Sequence, residues 1–168
     1  MELLTAIATR SSAARLSEPG PTPQHLAQIL AAAAHVPDHG RLRPWRLIVL
    51  DGPIRKEFAH AAASAKRARN PAMNEEQVRN EREKIERSPA IIVVACGVRR
   101  DQSKIPEIEQ VIAAAAAAQN LFLAAHALGY GVMWKTGAAA YDPGVKASLA
   151  LAADDHIVGI MHVGTRLT

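Results

Sequence analysis

Apolar positions along this chain follow two patterns. Between Pro23 and His35 they recur at helical spacing, with Leu26, Ile29, Leu30 and Ala33 on one face. Thr22 is placed to cap that helix and Pro23 to open it. Pro37 cannot sit in a helix interior and restricts the residue before it, so the helix should end near His35. By contrast, Trp45–Leu50, Ile91–Cys96 and Ile157–Val163 are short apolar runs bounded by turn residues, as in buried strands. Tyr130–Trp134 reads as a further strand running into a loop.

The remaining segments follow from their breakers and caps. Glu2–Thr9 predicts a short helix, and "RSSAARLSEPGPTP" after it a loop. Asp51-Gly52-Pro53 opens another helix that Asn70-Pro71 breaks. Asn74 caps a charged helix reaching about Arg87, Gly129 ends a long alanine-rich helix, and Pro143–Leu149 is a short one. About four strands and five or six helices in mixed order predict an α+β fold, a small mixed sheet packed by helices. The path from Ile91–Cys96 through the long helix to Tyr130–Trp134 suits a right-handed crossover. With 168 residues, no internal repeat and no long linker, residues 1–168 form a single domain in this reading.

Composition sharpens two points. Hydrophobic residues make up 49% of the chain but aromatics only 4%, and much of the apolar content is alanine. Each alanine removes little surface from water, so such a chain gains from burial against a partner or a cofactor. Val111–Leu128 approaches bilayer-spanning length, but Gln119, Asn120 and His126 interrupt it and its core is an alanine run. It reads as a central buried helix whose small side chains admit a second subunit, not as a membrane segment.

The net charge of +4 raises the question of anionic partners. Between Arg67 and Arg87, however, the bases alternate with Glu75, Glu76, Glu81, Glu83 and Glu86, which is the pattern of a solvated, ion-paired helix face. No nucleic-acid partner is expected from it. Cys96 stands alone in an apolar run, so no internal disulfide forms, and an inert buried thiol suits a reducing cytoplasm. The first residues lack the basic-then-apolar order of a signal peptide.

Three stretches carry candidate chemistry. "TRSSAAR" sets Arg10 and Arg15 around Ser11 and Ser12, and guanidinium and hydroxyl groups suit a phosphate. "HVPDH" pairs His35 with His39, but Pro37 spoils the helical geometry that zinc would need and no third ligand motif follows; no metal is expected. A histidine pair in a rigid loop suits hydrogen bonding to a ligand instead. "GYGVMWKTG" puts Trp134, Lys135 and Thr136 at a strand end between glycines, where a backbone can approach a planar ligand. No dinucleotide fingerprint, Walker loop or nucleophile elbow is present.

Together "RSSAARL", "VPDHGRLRPWRLIVL", "GYGVMWKTG" and the terminal "IVGIMHVGT" resemble the nitroreductase family, in its short single-domain NAD(P)H-dependent form, over essentially the whole chain. The resemblance implies an α+β fold and a homodimer with FMN at the subunit interface. It implies that Arg10, Ser11 and Ser12 hold the phosphate and ribityl groups, that Trp134, Lys135 and Thr136 line the flavin from the same chain, and that His35 and His39 reach it from the partner. NAD(P)H would reduce the flavin, which would then reduce a nitroaromatic or quinone-like acceptor, with no side chain acting as a catalytic nucleophile or acid. The chain departs from the family pattern at Ser11 and His35, where arginines are expected, and at Lys135, which keeps the charge of an expected arginine but not its fork. Two other readings stay open: a different flavin enzyme on the same scaffold, and a non-catalytic ligand- or nucleic-acid-binding module.

Overall fold

The computed structural model describes residues 1–167. In chain order the elements are α1 (Leu3–Thr9), β1 (Leu16–Ser17), α2 (Pro23–Ala32), β2 (Trp45–Val49), α3 (Gly52–Arg69), α4 (Glu75–Glu86), β3 (Ala90–Cys96), α5 (Glu107–Ala127), β4 (Gly131–Lys135), α6 (Pro143–Ser148) and β5 (His156–Arg166). The class is the expected α+β. β2 pairs with β3, β3 with β5, and β5 with both β4 and β1. Every bonded ladder is antiparallel. β3 and β4 therefore run the same way with β5 between them, so the connection through α5 spans an intervening strand.

Strand alternation sends side chains to two separate cores. On one face Ile92, Val94, Val132, Met161 and Val163 pack against Ala117, Ala118, Leu121 and Phe122 of α5 and Ile29 of α2. On the other, Ile91, Val93 and Ile160 pack against Phe58, Ala62 and Ala65 of α3 and Val145 of α6. β3 is buried on both faces along its whole length, which explains its unbroken apolar run. α5 is long and apolar enough to cross a bilayer by length and composition alone. Here its alanines instead let it lie close against the sheet, with Ala113, Ala114, Ala117, Leu121 and Ala125 buried.

The caps explain where helices start and stop. Thr22 Oγ1 accepts the His25 amide at 3.1 Å, and Asn74 forms a full capping box with Gln77. Gly129, at φ 91°, turns the chain out of α5 while its amide and that of Tyr130 donate to the carbonyls of His126 and Ala125, both at 2.9 Å. α2 stops at Ala32, ahead of the expected end near His35. Asn120 of α5 takes over the freed carbonyls, donating from Nδ2 to Ala32 at 3.3 Å and to His35 at 2.9 Å. β1, read from sequence as loop, is a two-residue strand on the end of β5, and β5 itself runs past Val163 to Arg166 to meet it.

One irregularity positions the end of β4. The β3–β5 register shifts between Val94 and Ala95, leaving Val158 without a counterpart. Its carbonyl accepts the Trp134 Nε1–H at 3.1 Å. The indole then lies across Gly159, where a Cβ would stand 2.6 Å from Nε1, so only glycine leaves room for it.

Candidate functional site

On the α3 face, the ends of β4 and β5 and the α3–α4 hairpin enclose two adjoining cavities of about 530 and 480 Å³. Lys84, Lys135 and His162 line both, so the two form one groove. Its apolar part comes from Phe58, Ala62, Ile85 and Ile160 at one end and from Met133 and Leu16 at the other. Alternation along β4 and β5 aims Met133, Lys135, Ile160 and His162 to this side.

The cations of the groove differ in how they are compensated. Glu81 reaches Lys66 at 2.8 Å and Lys84 at 2.7 Å. Partial burial works to raise the Glu81 pKa, but the two lysines outweigh it and hold the carboxyl below the ordinary glutamate range. Arg87 pairs with Glu83 at 3.3 Å. Lys135 is exposed and has no ion-pair partner among the described residues.

His162 Nδ1 lies 3.0 Å from Ser88 Oγ. Burial, with Lys135 and Arg55 nearby, pushes its pKa down from 6.5 to about 4, so the ring is neutral at pH 7. The unfolded chain therefore takes up this proton first as acid is added. The group's contribution to stability is complete above pH 6.5 and lost as pH falls towards 4, a loss of about 3 kcal/mol. Denaturant unfolding at pH 7, 5.5 and 4 should show a shallower acid decline for His162→Gln than for the wild type.

The residues expected from sequence divide between sites. Lys135 and Thr136 line the groove together. Ser11 lines neither cavity: Arg166 of β5 donates to its Oγ at 3.0 Å and to its carbonyl at 2.6 Å, while Arg15 lines the smaller cavity. The amide of Ala13 donates to the Val132 carbonyl at 2.9 Å, which fixes this segment across the start of β4. Ser12 is exposed. Arg10 places its guanidinium 4.7 Å from the centre of the Phe122 ring on α5. Trp134 points to the opposite face of β4, among the α5-side residues, and lines neither cavity.

His35 and His39 also stand on the α5 side. His39 Nδ1 meets Glu109 Oε2 at 2.6 Å, and the His35 carbonyl is held by Asn120. Asp38 staples their loop by accepting the Arg43 amide at 2.7 Å, with Arg41 and Arg43 in the left-handed region at φ 55° and 48°. One protomer therefore does not bring these histidines to Lys135. Among the described residues no cluster of three or more His, Cys, Asp or Glu side chains is arranged to hold a metal ion. Cys96 is fully buried, and burial followed by Asp155 and Glu107 pushes its thiol up to about 11, an inert group.

Three residues escaped the sequence reading: Lys84, His162 and Arg166. Strand alternation put His162 beside Lys135 only once the β4–β5 register was known, with Met133 opposite His162. Arg166 is 155 positions from Ser11, and no local pattern joins them.

Known proteins share this frame. Among solved structures, the nitroreductase-like family protein from Bacillus cereus matches with a TM-score of 0.82 at 25% identity, over 100% of this chain and 87% of that one. A nitroreductase with bound FMN from Bacteroides fragilis matches with a TM-score of 0.71 at 20% identity, over 99% of this chain and 89% of that one. By sequence, the Escherichia coli K12 protein named "Putative NAD(P)H nitroreductase YdjA" is 33% identical over 165 residues, 98% of this chain and 88% of that one. The Nitroreductase family model matches residues 7–165, a span that includes Lys84, Lys135 and His162 of the groove. The chain thus belongs to the nitroreductase family.

Proposed function

We propose that this protein is a single-domain, FMN-dependent oxidoreductase that passes hydride from NAD(P)H to a nitroaromatic or quinone-like acceptor. The observation that carries the reading is the groove itself: a planar-ligand-sized space with apolar walls, an uncompensated lysine and a neutral histidine, in a chain of this family. FMN supplies the hydride relay when bound.

The chain's residues fit that group. Lys135 offers positive charge to an electron-rich ring edge, and Thr136 lies beside it. Arg15 lines the start of the groove, and Arg166 and Ser11, bonded to each other, add a guanidinium and a hydroxyl suited to phosphate oxygens, with Ser12 and Arg10 on the same segment as Ser11. Trp134 contributes indirectly, by tying the end of β4 to Val158.

The other wall comes from a second copy of the chain. His35 and His39 lie on the α5 side of their own sheet, away from their own groove, and a homodimer lets them face the partner's flavin. The surface available for it is apolar: Leu4 of α1 is 79% exposed and Ile108 and Ile112 of α5 are 62% and 59% exposed. The single buried thiol suits the cytoplasm.

The test is the visible absorption spectrum of purified protein before and after anaerobic NAD(P)H. Flavin bands that bleach are expected. A colourless protein that neither takes up FMN nor consumes NAD(P)H would overturn the reading.

A further inference from the structure

We propose that His162 is a ligand-binding residue of the groove: its Nε2 accepts a hydrogen bond from a ring N–H of the bound heterocycle, while Ser88 fixes the imidazole through Nδ1. This rests on the flavin reading above and assigns a specific edge of the flavin to a specific side chain.

Three observations lead there. First, no fully buried side-chain nitrogen or oxygen among the described residues lacks a partner. His162 is not an exposed residue, its Nδ1 is engaged by Ser88, and its Nε2 has no protein partner, so Nε2 opens to the groove. Second, Ser88 Oγ lies 3.4 Å from the Ala90 carbonyl and 3.0 Å from Nδ1; with its proton given to Ala90 it accepts from Nδ1–H, and Nε2 is then the unprotonated nitrogen. Third, Lys84 and Lys135 line the groove with His162, and Arg55 stands on its protein side, donating to the Ser88 carbonyl at 2.8 Å. Burial, with Lys135 and Arg55, keeps the imidazole neutral. An apolar residue in line with Ile160 would fill the position without burying a polar ring.

The three shared side chains therefore offer two donors and one acceptor. That is the complement of an imide edge, a ring N–H flanked by two carbonyl oxygens, which the isoalloxazine carries. Such an edge distinguishes flavin from a planar aromatic without an imide.

The test compares FMN with 3-methyl-FMN, in which the imide N–H is lost, by fluorescence quenching on apo-protein. Wild type is expected to bind 3-methyl-FMN about 10-fold more weakly than FMN, the worth of one hydrogen bond. His162→Phe should bind FMN about 10-fold more weakly than wild type and should discriminate between the two flavins by less than about 3-fold. Should that variant fold poorly, ¹⁵N NMR of labelled wild type at pH 7 serves instead: the His162 Nε2 resonance should move on adding FMN and stay put on adding 3-methyl-FMN. Equal discrimination by wild type and His162→Phe, or an Nε2 resonance indifferent to FMN, overturns the assignment while leaving the flavin reading intact. A wild-type protein that takes up no FMN overturns both.

Discussion

Replacing Lys135 by glutamate is expected to weaken FMN binding by roughly 100-fold, since reversing a charge in partial contact with a ligand is worth about 3 kcal/mol. The size follows from how the groove's charge is shared. Lys84 already answers to Glu81, as does Lys66, and Arg87 answers to Glu83. Lys135 has no such partner among the described residues, so of the lysines lining the groove it is the one whose charge is left to meet an electron-rich ring. A carboxylate there would face the ligand and would also draw a proton onto His162, whose neutrality depends partly on Lys135. Lys135→Arg keeps the charge and should stay within about 3-fold of wild type. Titration with FMN at low and at physiological salt should show the Glu variant's deficit narrowing as salt rises. Thermal stability should barely move, because the side chain is exposed. Equal affinity in the Glu variant would mean that this cation does not hold the cofactor.

Phe58→Ala is expected to cost about 3–5 kcal/mol of folding stability, the range for deleting a buried aromatic ring. Phe58 is 1% exposed, sits in the middle of α3 and packs in the core shared with Ile91, Val93 and Ile160. It also forms one wall of the larger cavity, so its loss merges a void with the ligand groove. Urea unfolding should show a lower midpoint at an unchanged slope. Lys56→Ala, two residues away on the exposed side of the same helix, should change stability by less than about 0.5 kcal/mol. A loss of under 1 kcal/mol at Phe58 would mean that α3 is not anchored through this ring.

Local chemistry made much of this fold legible. Thr22, Asn74 and Gly129 act where their capping chemistry predicts, and the unbroken apolar run at β3 becomes a strand buried on both faces. β1 was hidden because two residues carry no period, and its pairing with Thr165 and Arg166 is purely long-range. Trp134 and Lys135 were adjacent in one motif, yet successive residues of a strand point to opposite faces, and the bulge at Val158 commits the indole to the core side. His162 read as part of a hydrophobic strand, since nothing in its neighbours announces a cavity. The two histidines of the Pro-Asp loop were legible as ligand chemistry, but their separation from Lys135 depends on the sheet lying between α5 and α3.

The sheet's connectivity also bears on how the protein is made. β5 is the last strand in chain order, yet it lies between β3 and β4 and also carries β1. Until it emerges from the ribosome, β3 has only β2 as a neighbour, and β1 and β4 have no strand to pair with. At about 5–20 residues per second, the nascent chain must carry β3's exposed apolar run for several seconds after it is synthesised. The helical hairpin of α3 and α4 can form early, but the ligand groove takes shape only at the end of translation, when β5 inserts and delivers His162.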